Sequence, residues 1–270
     1  MIYVTTNILT ILLLLCIITI ALLIQLVPGS HVMLYNLRAS LIGEPVYSSD
    51  AKYWVHQCND TRKVEEVLPH YTGVEIDITF YPSAEGGCFD ASHAQRPNID
   101  YPLEDFFALL SSQDTNIWLD FKNLDANTAQ AALNELNRLV ETYKIAQDRL
   151  IVESTDYSAL SIFHKNGYYT SYYCPTDDER YLLSDNHQEE FAQKVQTAVA
   201  SGNVDAVSFP EEYYPLVKAS EVSVDLLTWY KKQNWWHFWT DKKDEERQQA
   251  LLNDNTVKVI LVDVPSQYTR

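Results

Sequence analysis

Along the 270 residues, short apolar runs with alternating polarity give way repeatedly to stretches whose apolar residues recur three and four apart. The first pattern predicts buried or half-buried strands, the second amphipathic helices. Strands are predicted at residues 53–58 (YWVHQC), 73–81 (GVEIDITFY), 117–124 (IWLDFKNL), 150–154 (LIVES), 168–174, 206–209, 222–230 and 257–264 (VKVILVDV). Helices are predicted at 62–71, 102–112, 126–143, 157–165, 188–200 and 243–253. The clearest spans 126–143, where Ala132, Leu133, Leu136, Leu139 and Val140 share one face.

Each of the first seven strands is followed by a helical segment or by a connection long enough to cross over. That order predicts a parallel sheet, and eight such units predict closure into an α/β, (β/α)8 TIM-type barrel. An open doubly wound sheet is the alternative. It would need a topological switch point, and no G-x-G-x-x-G follows any strand.

One stretch belongs to neither pattern. Residues 8–27 (ILTILLLLCIITIALLIQLV) carry no charge and no proline, and about 20 residues at about 1.5 Å each cross a bilayer's hydrocarbon core. The run is longer than the apolar core of a signal peptide, no basic residue precedes it, and no A-x-A site follows. An N-terminal transmembrane helix is therefore expected: a single-pass membrane protein with its domain on the extracytoplasmic side. The chain then divides into an anchor (1–30), a connecting segment (31–52) and the barrel (53–270).

The formal net charge of −17 sets nucleic acid aside as a partner, because phosphate backbones are bound by clustered Lys and Arg. It leaves room for a small phosphate ester held by a cation. Of the four cysteines, Cys16 lies in the apolar stretch, and Cys58, Cys88 and Cys174 permit at most one bridge. None has the spacing of a zinc site. Asn59-Asp60-Thr61 fits a glycosylation sequon.

In a barrel of this kind the chemistry gathers at the C-terminal ends of the strands, so polar residues near those ends are the informative ones. The first strand offers His56, with Asn59 just beyond. The second offers Glu75 and Asp77 on one face, since side chains alternate with a period of two. Two carboxylates so close repel unless a cation lies between them, and oxygen ligands suit Mg²⁺ or Ca²⁺. The third strand offers Asp120 and Lys122, again two apart. The glycine-bearing loop after the second strand brings His93. Taken alone, Asp120 and Lys122 also fit a structural ion pair, and single histidines are more often structural than catalytic. Their co-occurrence on three consecutive strands and the loops leaving them is what points to a site.

These residues carry a resemblance as well. His56-Gln57-Cys58-Asn59, Glu75-Ile76-Asp77, His93 and Trp118-Leu119-Asp120-Phe121-Lys122 resemble the phosphatidylinositol-phospholipase-C-like phosphodiesterases, a superfamily that includes glycerophosphodiester phosphodiesterases and sphingomyelinases D. Among its branches the combination looks closest to the menorin family. The closing strand, Ile260 to Pro265, is similar too. The resemblance implies a metal-dependent phosphodiesterase with one divalent cation, Mg²⁺ or Ca²⁺, held by Glu75, Asp77 and Asp120. It implies His56 and His93 as the acid–base pair, and Lys122, with Asn59, toward the substrate phosphate. The substrate would be a glycerophosphodiester, a phospholipid-derived molecule or another small phosphodiester. One departure stands out: glycerophosphodiesterases carry Arg after the first His, where this chain has Gln57. Glu153 and Trp236, the latter in the aromatic run 235–239, are secondary candidates for the site. Two other readings remain open, a non-catalytic ligand-binding barrel and a glycosidase using two carboxylates.

Overall fold

The structure, a computed structural model, describes residues 51–84, 86–94, 99–176, 185–230, 242–264, 266 and 268. Residues Tyr47–Val264 with Tyr268–Arg270 form one compact unit. Of the other, Met1–Val46 with Pro265–Gln267, only Ser266 is among the described residues. The expected anchor and nearly all of the connecting segment lie outside them, as does Trp236. Among the described residues no helix is long and apolar enough to cross a membrane.

The barrel unit runs β1 (Tyr53–Val55), α1 (Thr61–Val67), β2 (Gly73–Tyr81), β3 (Cys88–Asp90), α2 (Leu103–Leu110), β4 (Asn116–Phe121), α3 (Ala129–Tyr143), β5 (Leu150–Ser154), α4 (Tyr157–Lys165), β6 (Tyr169–Tyr173), α5 (Asp185–Ala200), β7 (Ala206–Pro210), α6 (Tyr214–Ala219), β8 (Asp225–Trp229), α7 (Lys242–Asn253) and β9 (Val257–Val262). Eight of these strands pair in parallel in the order β1-β9-β8-β7-β6-β5-β4-β2, and a β1–β2 pairing closes the ring. The expected barrel is present. β3, a short strand that the sequence pattern did not predict, runs antiparallel to the end of β2, with Phe80 opposite Phe89.

Side-chain alternation sorts the strands into two cores. Val74, Ile76, Ile78 and Phe80 of β2, Ile117, Leu119 and Phe121 of β4, and Leu150 and Val152 of β5 pack outward with helix residues such as Val64, Phe106, Leu136 and Phe163. Burying each such side chain contributes about 1.5–3 kcal/mol. The opposite faces fill the barrel with Trp54, Trp118, Ile151, Ala206, Leu227, Val259 and Leu261. Gly73 belongs to this inner packing: a Cβ there would come within 2.1 Å of the Trp54 indole.

Element ends depart from the apolar pattern where the backbone turns for a local reason. β1 stops at Val55 because Gln57 adopts a left-handed φ of 54°. The helix expected from residue 126 begins at Ala129, since the Asp125 carboxylate accepts the backbone N–H groups of Asn127 and Thr128 and holds them in a turn. β8 starts at Asp225 rather than 222, after Glu221 at φ 50°.

Candidate active site at the carboxyl ends of the strands

Register builds the site. Asp77 of β2 stands opposite Asp120 of β4, and Asp120 opposite Glu153 of β5. Glu75 lies one inward-facing position below Asp77. The parallel pairing thus gathers acids from three separate strands into a single cluster at the barrel mouth. Glu75, Asp77 and Glu153 are buried. Ligand atoms of Glu75, Asp77 and Asp120 lie within 4.8 Å of one another.

The β1–α1 turn holds this cluster from one side. The Gln57 backbone N–H donates to Glu75 Oε2 at 2.6 Å, and the Cys58 N–H donates to the Glu75 carbonyl. Asn59 grips Asp77 at both ends of its amide: Nδ2 donates to Asp77 Oδ2 at 2.6 Å, and Oδ1 accepts the Asp77 backbone N–H at 2.9 Å. Asn59 is buried, so in the folded protein the sequon at 59–61 is closed to a glycosyl transfer enzyme.

Lys122 enters from the other side. Its ammonium is 2.7 Å from Asp77 Oδ1 and also pairs with Asp120 Oδ2. Burial alone would lower its pKa, but the carboxylates of Asp120, Asp77 and Glu75 outweigh burial and hold it above the ordinary lysine range. Burial raises Glu75 well above the usual carboxylate range, helped by Asp77 and Asp120 and opposed by Lys122 and the Gln57 N–H. Burial likewise raises Asp120, with Lys122 opposing. Glu153 is pushed up to about 8 by burial and by Asp120, against the hydroxyls of Ser208 and Ser171. Its Oε2 accepts from Ser171 at 2.9 Å. Glu75 Oε1 is buried with no hydrogen-bond partner among the described residues.

His56 Nδ1 lies 3.1 Å from Asp263 Oδ1, and Nε2 lies 3.8 Å from Glu75 Oε2. Asp263 went unremarked as a site residue in the sequence. The signal was there: β9 pairs with β1 as Tyr53↔Ile260 and Val55↔Val262, so the polar residue ending an apolar strand falls beside His56. His93 is exposed. Beside it Thr79 Oγ1 donates to the Ser92 carbonyl, and Asp90 Oδ1 accepts from the N–H groups of Asp100 and Tyr101. A cavity of about 200 Å³ has His56, His93, Glu75, Asp77, Asp120, Lys122 and Glu153 in its wall, with Tyr173 and Trp229 opposite. The expected residues are thus brought together, apart from Trp236, which lies outside the described residues, and Asn59, which stands behind Asp77.

A larger cavity of about 350 Å³ lies off this site, between β3, α2 and α3. Its acids, Glu104 and Glu135, are both paired with Arg138. Cys58, Cys88 and Cys174 are all free thiols, and burial pushes Cys58 up to about 12, so its thiol is inert at neutral pH.

No protein-family model matches the chain, and no curated protein sequence does. Solved structures do. A glycerophosphodiester phosphodiesterase from Parabacteroides distasonis superposes with a TM-score of 0.52 at 14% identity, over 79% of this chain and 93% of that one. The chain shares its fold. A protein from Agrobacterium tumefaciens assigned as a glycerophosphoryl diester phosphodiesterase gives 0.54 at 11% identity, over 80% and 95%. One from Silicibacter pomeroyi with the same assignment gives 0.52 at 13%, over 80% and 91%.

Proposed function

We propose that this chain is a metal-dependent phosphodiesterase acting on a glycerophosphodiester or another small, phospholipid-derived phosphodiester. The observation that carries the reading is the cavity itself, where four carboxylates, one lysine and two histidines converge. The likeness to phosphodiesterase barrels supports that chemical class for the cavity, and nearness to the menorin branch rests on the sequence motifs.

The donor set fits a divalent cation. Three carboxylates offer oxygens within 4.8 Å of each other, and Glu75 Oε1 is buried with no hydrogen-bond partner among the described residues. Hard oxygen donors suit Mg²⁺ or Ca²⁺. Glu75, Asp77 and Asp120 would hold the ion, which when bound neutralises charge on the non-bridging phosphate oxygens.

The remaining work falls to the chain's own groups. With Nδ1–H donating to Asp263, His56 turns the Nε2 lone pair toward the cavity, where it can take or return a proton. His93, on the loop after β3, supplies the second proton-transfer group. Lys122 adds a fixed positive charge where negative charge grows on the phosphoryl group. Asn59, expected to meet the phosphate, acts instead by holding Asp77. The Arg of glycerophosphodiesterases has its counterpart position at Gln57, whose backbone N–H secures Glu75. The apolar stretch at 8–27 would anchor the domain, single-pass, beside its lipid-derived substrates, with the barrel on the extracytoplasmic side.

The test is hydrolysis of a panel of glycerophosphodiesters, lysophospholipids and bis-p-nitrophenyl phosphate by the purified chain with Mg²⁺, Ca²⁺ or EDTA. Metal-dependent turnover is expected, reduced about 10²–10⁴-fold in His56→Ala and in His93→Ala, the usual range for a lost acid–base group. Wild-type rates in both variants would refute the assignment. A second reading has its own observation: Lys122 already pairs with both Asp77 and Asp120, two of the acids a cation would need. A barrel that binds phosphodiesters without cleaving them would show binding and no turnover across the same panel.

A further inference from the structure

The turn between β1 and α1 contains two features that the proposed chemistry does not use. Lys63, in the first turn of α1, is 1% exposed. Its ammonium points back beneath the turn and donates to the carbonyls of His56, at 2.7 Å, and Gln57, at 3.1 Å. Gln57, between them and the metal-type acids, is held at φ 54°, a conformation non-glycine residues adopt at a cost. Such strain persists where the surroundings over-determine it, and it concentrates at functional sites.

What the strained conformation achieves is visible in the hydrogen bonds. The His56 N–H donates across to the Val262 carbonyl of β9, the Gln57 N–H to Glu75 Oε2, and the Cys58 N–H to the Glu75 carbonyl. With three consecutive N–H groups committed to the strands, the carbonyls of His56 and Gln57 are turned the other way, toward the helix. Buried carbonyls without a partner are costly, so this arrangement requires a donor beneath the turn. A lysine with three N–H bonds on one atom serves both carbonyls at once.

We propose that Lys63 is a positioning residue for the cation site: it fixes the β1–α1 turn so that the Gln57 N–H orients the Glu75 carboxylate and the His56 ring is presented to the cavity. The inference rests on the metal-dependent reading above. Lys63 touches neither the cavity nor the three carboxylates; it acts through the backbone of residues 56 and 57. Groups that orient a metal ligand without binding the metal typically contribute about 10- to 100-fold to affinity.

The experiment measures Mn²⁺ binding to the purified full chain by electron paramagnetic resonance, alongside thermal unfolding, for wild type, Lys63→Met, Gln57→Gly and the double variant. Methionine keeps the length of the side chain and removes its donors. Lys63→Met is expected to bind Mn²⁺ about 10- to 100-fold more weakly. Gln57→Gly keeps the N–H and removes the strain, so it should bind at least as tightly as wild type. In the double variant the glycine lets the turn hold its shape with less support, and part of the lost affinity should return. Lys63→Met with a lower melting temperature and unchanged Mn²⁺ affinity would overturn the inference, making Lys63 a buried structural cation only. Loss of the fold in Lys63→Met and the double variant alike would overturn it in the same way. Absence of Mn²⁺ binding by the wild type is a different failure, that of the metal reading itself.

Discussion

His56 depends on Asp263 in a way that can be separated from folding. The Asp263 side chain keeps 28% of its exposure, so its replacement by Asn leaves no buried charge stranded. Asparagine can donate to Nδ1 where aspartate can only accept, which favours the tautomer with the proton on Nε2 and turns the wrong face of the ring to the substrate. Asp263→Asn is therefore expected to lower kcat by about 10²–10⁴-fold, as for loss of the base itself. Its melting temperature should stay close to that of wild type. Steady-state kinetics beside a thermal melt check this, and an unchanged kcat would show that His56 finds its orientation elsewhere. The pairing also marks a boundary of what single residues disclose. Glu75, Asp77 and Asp120 were legible because charges interrupt otherwise apolar strands. Asp263 interrupts one too, yet its partner is 207 residues away, and only the β1–β9 register brings them together. Gln57 is the converse case. By side chain it reads as a missing phosphate contact, while its contribution lies in a backbone N–H that no residue name encodes.

At the scale of elements, β2 and β4 were readable because their inward and outward positions differ sharply in polarity, and the helices other than α6 because α3 and its neighbours carry an apolar stripe, which the six residues of α6 are too few to show. β3 was not, since three residues cannot show a period and its pairing is set by β2 and a turn through Gly86 and Gly87. Gly73 shows a constraint of another kind. At the head of β2 a glycine weakens a strand by its backbone freedom, so its presence needs a reason. The Trp54 indole of β1 supplies it by occupying the space a Cβ would fill. Gly73→Ala should therefore destabilise the barrel by about 1–3 kcal/mol, the usual cost of overpacking a filled interior. Denaturant unfolding measures this directly. Gly73→Ala in a Trp54→Leu background should cost much less, because the ring that the methyl meets is gone. Equal costs in both backgrounds would mean that the indole does not explain the glycine.

Over the whole molecule the chain is strongly acidic, at −17, and the barrel mouth concentrates that excess in a buried space with Lys122 as the cation in its wall. Such a centre is under electrostatic strain without an added ion, and the strain has a pH signature whose sign is fixed. Burial and its acidic neighbours raise the Glu75 pKa above the value of an unfolded chain. The folded state then holds a proton that the unfolded state has released, so metal-free stability falls as pH rises above the unfolded carboxylate value, and the penalty is absent below it. Glu75→Gln removes the ionisable group. In EDTA the variant should be more stable than wild type at about pH 8, and the difference should shrink toward zero near about pH 4, where both chains carry a neutral side chain. A divalent cation should reverse the order at about pH 8. Wild type gains stability as RT ln(1 + [M]/Kd), whereas the variant, short of one ligand, gains far less. Thermal melts across pH with and without Mg²⁺ or Ca²⁺ test both halves. If Glu75→Gln is less stable than wild type in EDTA, the carboxylate serves the fold through its hydrogen bond to Gln57. The crossing of the two curves on adding metal is the result that a purely structural Glu75 cannot produce.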